Sequence, residues 1–82
     1  MFFESFIPRF SKREREILQL IYEGLTSQEI ADRLFISLQT VESHRKSMIS
    51  KAGTRNMFGV MRIAIERDLI AINIPAKRFL QN

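Results

Sequence analysis

The stretch TSQEIADRLFISLQTVESHRKSMISKAG, residues 26–53, decides the fold. It opens on Thr26-Ser27-Gln28-Glu29, a capping box in which the Thr hydroxyl takes one orphan amide of a helical first turn and the Glu reaches back for another. Ile30, Ala31, Leu34 and Phe35 then recur at i, i+1, i+4 and i+5, which predicts a short helix over 27–34 with those four on its apolar side. Ser37 precedes a second run, Leu38 to Ala52, that stops at Gly53, a glycine suited to the left-handed turn that ends a helix. The apolar stripe of that second helix is narrow: Val41, Met48 and Ala52, with Arg45 between them. Only Phe35, Ile36 and Ser37 join the two helices, and so short a turn forces them to cross steeply, as in a helix-turn-helix unit. The second helix of such a pair projects its polar side outward.

Toward the N-terminus, Ser11-Lys12-Arg13-Glu14 repeats the capping box. Ile17, Leu18, Leu20, Ile21 and Leu25 follow at helical spacing, so a helix is expected over about 12–23, with Gly24 as its stop. Toward the C-terminus, Thr54 or Asn56 caps a fourth helix over about 57–68 that carries Met57, Val60, Met61, Ile63, Ala64 and Ile65. The expected fold is all-α, a compact four-helix domain containing a helix-turn-helix motif. At 82 residues one domain is expected, burying about 60% of the surface of its unfolded chain. We divide the chain into an apolar N-terminal segment or linker over 1–10, the domain over 11–70 and a tail over 71–82.

Composition narrows the function. There is no cysteine, hence no disulfide framework, thiolate nucleophile or cysteine-ligated metal. The longest apolar run in the second half, Leu69 to Ile72, is far short of the roughly 20 residues that span a bilayer, and MFFESF lacks the basic start of a signal peptide. The expectation is a cytoplasmic protein with no membrane partner. His44 is the lone histidine and has no second histidine or cysteine for a metal site or dyad, so packing or a phosphate contact suits it better than chemistry. Glu14 and Glu16 are two apart on a helix and face different ways; capping accounts for the first and solvation for the second. Neither an enzyme, a cofactor nor a metal is expected.

Charge is unevenly placed. The formal net charge is +4, yet residues 11–32 hold three cations against five acids, while residues 33–62 hold Arg33, Arg45, Lys46, Lys51, Arg55 and Arg62 against Glu42 alone. The basic excess sits on the third helix and its flanks, the electrostatic footprint expected for double-stranded DNA. Opposite the buried stripe, helical geometry places Gln39, Glu42, Ser43, Lys46, Ser47 and Ser50 on the open side. In a major groove Lys46 suits guanine acceptors, Gln39 adenine, and Glu42 a cytosine amino group. Thr40, Lys51 and Arg55 lie toward the helix ends, where phosphates are the expected partners, and Arg45 completes the DNA-binding set.

Residues 11–70 resemble the DNA-binding domain of LuxR-type (LuxR/FixJ/NarL) bacterial regulators. The resemblance rests on R-E-x-E-I-L at 13–18, G-L-T-x-x-E-I-A at 24–31, I-S-x-x-T-V-x-x-H at 36–44 and K-x-G at 51–53. It implies a four-helix domain, transcriptional control, and a dimer on DNA through the fourth helix. By position it makes Thr40 a backbone contact and Glu42, Ser43 and Lys46 groove contacts. Phe10 stands where Leu is usual, Glu42 where a cation is frequent, Phe58 where a capping Thr is common and Asp68 where a terminating Gly is common. Ala52 replaces a larger Leu, leaving room for a neighbour such as Phe58.

The fourth helix has more apolar surface than one core needs. Met57, Val60 and Ala64 form one stripe; Phe58, Met61 and Ile65 form a second, which we assign to the dimer contact. The competing cover is Phe2, Phe3, Phe6 and Ile7, or Ile70, Ile72 and Ile74, from the same chain. The expected function is sequence-specific DNA binding by the third helix, as the output domain of a response regulator or as a stand-alone regulator. RNA polymerase or an upstream sensor domain are further candidate partners. The alternative is a module of the same fold that docks on another regulator or on RNA polymerase without reading DNA.

Overall fold

A computed structural model describes residues 7–72. Four helices follow in order: α1 (Lys12–Tyr22), α2 (Ser27–Leu34), α3 (Leu38–Ala52) and α4 (Met57–Glu66), with no strand among the described residues. Both capping boxes form. Ser11 Oγ accepts from the Glu14 amide at 3.0 Å while Glu14 Oε1 accepts from the Ser11 amide at 2.8 Å, and Thr26 and Glu29 repeat the exchange at 3.1 and 2.8 Å. Each residue thus satisfies one of the amides that a helix start leaves unpaired. Ser37 Oγ accepts from the Thr40 amide at 3.0 Å to start α3, and of the two candidate caps for α4 it is Asn56 that serves, its Oδ1 accepting from the Gly59 amide at 3.1 Å. Thr54 instead donates its hydroxyl to the Asn56 carbonyl at 3.1 Å. That closeness explains Gly59, because a Cβ there would lie 2.8 Å from the Thr54 Cβ.

The core is a single cluster. Ile17 and Leu18 from α1, Ile30 and Ala31 from α2, Val41, Met48 and Ala52 from α3, and Val60 and Ala64 from α4 are buried together with Phe10 and Ile70. α3 lies at the centre of this arrangement and packs on α1, α2 and α4. The largest of these side chains, fully removed from water, each contribute on the order of 1.5–3 kcal/mol through burial. The short turn between α2 and α3 closes with the Ile36 amide bonding back to the Ala31 carbonyl at 3.0 Å, and the two helices pack against each other.

Four expectations are corrected. Phe35 does not belong to the apolar side of α2: it is the residue that ends the helix, in the left-handed conformation (φ 58°, ψ 43°), and its ring is 94% exposed. The reversal of chain direction turns its side chain away from the stripe. α4 ends at Glu66, not Asp68, since Asp68 itself adopts φ 57° and the Leu69 amide closes onto the Ala64 carbonyl at 2.8 Å. Asp is among the few residues that enter this conformation readily, so it supplies the stop that a glycine would. Phe58 does not fill the space beside Ala52; burial of Val60 and Ala64 fixes the phase of α4 so that Phe58 points outward, 80% exposed. Finally, α1 stops at Tyr22, one residue early, with Glu23 as its C-cap.

The segment after α4 returns to α1. Ile70 enters the core, and the Gln19 side-chain amide grips Ala71 from both sides: its Nε2 donates to the Ala71 carbonyl at 2.9 Å and its Oε1 accepts from the Ala71 amide at 2.8 Å. Among the described residues no helix is long and apolar enough to cross a membrane.

Candidate nucleic-acid interface

Burial of Val41, Met48 and Ala52 fixes the rotation of α3 about its axis and thereby decides which side chains face water. Gln39, Thr40, Glu42, Ser43, Lys46 and Ser50 are exposed. His44 and Arg45 are half-buried at the edges of that face. Glu42 and Arg45 form an i,i+3 ion pair at 3.7 Å, so the one acid on the helix has a cation beside it. At the N-terminal end the Ser37 and Thr40 hydroxyls lie 2.8 Å apart on an exposed surface, at the positive end of the helix dipole. Lys46, at mid-helix, and Arg55, just past the C-terminal end, are exposed and make no ion pair among the described residues.

Two of the sequence-derived contacts are placed otherwise. Ser47 is not on the open side: it is half-buried, and its Oγ donates to Glu14 Oε2 at 2.7 Å. Lys51 lies against the same carboxylate, its Nζ 2.8 Å from Glu14 Oε1. The four-residue spacing of Ser47 and Lys51 brings both onto the side of α3 that faces α1. Glu14 itself is 3% exposed and carries more than a cap. Burial, the largest single influence on its carboxyl, raises the pKa; hydrogen bonds from Lys51, Ser47 and the Ser11 amide, with the Lys51 charge, outweigh it and lower the value from 4.5 to about 2. The carboxylate is therefore ionised, fully partnered, and ties the C-terminal half of α3 to α1. Its position gave a signal that sequence reading passed over: Glu14, Ile17 and Leu18 stand at i, i+3 and i+4, which places Glu14 on the buried stripe.

On α4, Phe58 and Ile65 are exposed, the latter by 39%, while Met61 between them is half-buried against the core. The two exposed residues are seven apart and so lie on one line along the helix. Of the proposed covers from within the chain, Ile70 is spent in the core, Ile7 and Ile72 are themselves about half exposed, and Phe2, Phe3, Phe6 and Ile74 lie outside the described residues. Among the described residues there is no group of three or more His, Cys, Asp or Glu side chains that would hold a metal.

Comparison with known proteins points one way. A family model described as bacterial regulatory proteins, luxR family, matches residues 8–64. The oxygen regulatory protein NreC of Staphylococcus aureus is 40% identical over 60 residues, which are 73% of this chain and 28% of that protein. The chain thus spans a little over a quarter of the length of the curated relatives it matches. Among solved structures, the transcription factor GerE aligns with a TM-score of 0.74 at 27% identity, over 77% of this chain and 94% of that one. The response regulator ChrA of a heme-sensing two-component system aligns at 0.71 with 38% identity, over 78% and 32% of the two chains. The Vibrio cholera VqmA–ligand–DNA complex aligns at 0.72 with 29% identity, over 83% and 30%.

Proposed function

The chain belongs to the luxR family of bacterial regulatory proteins, and from that premise we propose that it binds duplex DNA through α3 in the major groove and so regulates transcription. The observation that carries this reading is the exposed polar face of α3, presented by a helix-turn-helix pair whose other sides are fixed in the core. Lys46 suits the acceptors of guanine, Gln39 an adenine edge and Glu42 a cytosine amino group, with Ser43 between them. Thr40 at the amino end and Arg55 beyond the carboxyl end serve as phosphate contacts, which set register and carry no sequence information. Arg45 reaches the same surface while screening Glu42. Ser47 and Lys51 support the helix from behind through Glu14 instead of meeting DNA directly. Likeness to a solved DNA complex supports the reading further.

We further assign Phe58, Met61 and Ile65 to a two-fold contact between copies on DNA, which suits a palindromic site with half-sites about one helical turn apart. One experiment covers both assignments. Duplexes are selected from random DNA by the full chain, and the recovered site is titrated with the parent, Lys46→Ala and Phe58→Glu. Lys46→Ala is expected to lose about 1–3 kcal/mol of affinity and to relax the preference at one guanine position. Phe58→Glu is expected to occupy single half-sites normally and to lose cooperative filling of the pair. No binding by the parent at low salt overturns the DNA reading; unchanged cooperativity overturns the dimer contact.

A further inference from the structure

The four cations of the first two helices, Lys12, Arg13, Arg15 and Arg33, all line one open groove of about 930 Å³. Of the four acids on the same helices only Glu16 joins them, and it is paired with Arg13 at 3.3 Å. Lys12, Arg15 and Arg33 make no ion pair among the described residues. Three half-buried leucines, Leu20, Leu34 and Leu69, give the groove an apolar floor, and Asp68 stands on its far wall. Arg15 and Leu69 also border an adjoining hollow formed with Ile7, Arg9 and Phe10, so the basic, apolar-floored surface continues toward Arg9. Two helices that are neutral in sum, with four cations against four acids, therefore gather their positive charge on one side.

That side is not the one proposed to read DNA. Glu14 marks the face of α1 that meets α3, and at 3.6 residues per turn Lys12, Glu16 and Gln19 centre roughly 180° away from it. A duplex lying along α3 does not pass through the groove, and an apolar floor has little to offer a phosphate backbone. Neither terminal stretch matches the charge: 73–82 carries Lys77 and Arg78 and no acid, and 1–6 has the single acid Glu4.

We propose that this groove is a docking site for an acidic amphipathic segment of a partner protein, seated with its apolar side chains on Leu20, Leu34 and Leu69 and its carboxylates against Lys12, Arg15 and Arg33. Buried apolar anchors supply the affinity, and the rim charges supply orientation and partner choice. The proposal stands independently of DNA binding by α3.

The test is a titration of the ¹⁵N-labelled full chain with a synthetic peptide bearing Leu on one helical face and Glu on the other. A scrambled peptide of the same composition and a short DNA duplex serve as comparisons. The amphipathic peptide is expected to shift the amides of Lys12, Arg15, Leu20 and Leu69. Its affinity is expected to fall at least tenfold in Arg15→Glu/Arg33→Glu, two exposed positions, and several-fold in the milder Arg33→Gln, while Lys46→Ala binds it like the parent. Equal binding of the scrambled peptide reduces the effect to charge attraction and overturns the proposal. So does an absence of shifts at the groove, or the same shifts produced by the duplex, which would make the surface a phosphate contact.

Discussion

Replacing Glu14 by Gln keeps the shape of the side chain and an oxygen able to cap the Ser11 amide, but removes the charge that Lys51 and Ser47 address. The carboxyl pKa is lowered from 4.5 to about 2, and at 1.36 kcal/mol per unit the ionised form is favoured by the fold by about 3 kcal/mol. Lys51 is 40% exposed, so water restores part of its solvation once the partner is gone, and the expected loss at neutral pH is about 2 kcal/mol. For a chain of this length, total stability is about 4–12 kcal/mol, so the loss is a large share. The sign with pH follows from the depressed value. The contribution is fully present above the unfolded pKa, near 4.5, and disappears as the pH falls toward about 2, where the native carboxylate takes up its proton. Urea titrations of parent and Glu14→Gln at a series of pH values measure the gap directly. It is expected to be widest at neutral pH and to close between pH 4.5 and 2. A gap below about 0.5 kcal/mol at neutral pH, or one that does not narrow in acid, refutes the account of Glu14 as the ionic tie between α1 and α3.

Two further substitutions probe the chain reversals. Phe35→Gly removes an aromatic ring that packs on nothing and relieves a left-handed backbone costing roughly 1–2 kcal/mol in a non-glycine residue; after the extra freedom glycine gives the unfolded chain, a gain of about 0.5–1 kcal/mol is expected in the urea midpoint. A loss of stability would show that the ring has a structural contact. Gln19→Ala removes both hydrogen bonds to Ala71 and is expected to cost about 1 kcal/mol and to speed hydrogen exchange at the Ala71 amide while leaving the Val60 amide protected; unchanged exchange at Ala71 would count against the clamp.

The helices and their starts were legible because they are written in local chemistry. Ser11 with Glu14, Thr26 with Glu29, and Ser37 each announce a first turn, and Gly53 announces an end. The open face of α3 was legible too, since Val41, Met48 and Ala52 leave little choice about which residues turn outward. What escaped was decided by partners distant in the chain. Ser47 has the same local pattern as Ser43 and Ser50, and only the approach of α1, 33 residues earlier, turns it into a ligand of Glu14. Phe35 reads as one more member of a stripe until the backbone reverses beneath it. The basic groove was hidden because a charge total over residues 11–32 leaves out Arg33 and averages over all sides of α1 and α2, whereas three dimensions sort the cations onto one. Asp68, by contrast, differs from the glycine that the resemblance leads one to expect and still makes the same left-handed stop.

The grip of Gln19 on Ala71 touches only main-chain atoms. It therefore measures where the chain is and is blind to which side chain stands there. Position 71 is free to vary in character, with proline excluded because its nitrogen has no hydrogen to give. The number of residues between the end of α4 and position 71 is not free in that way. Removing or adding one would offer the amide a neighbouring peptide unit and at the same time draw Ile70 out of its place in the core. In this part of the molecule, length is more tightly specified than identity, so insertions and deletions there are far more damaging than substitutions.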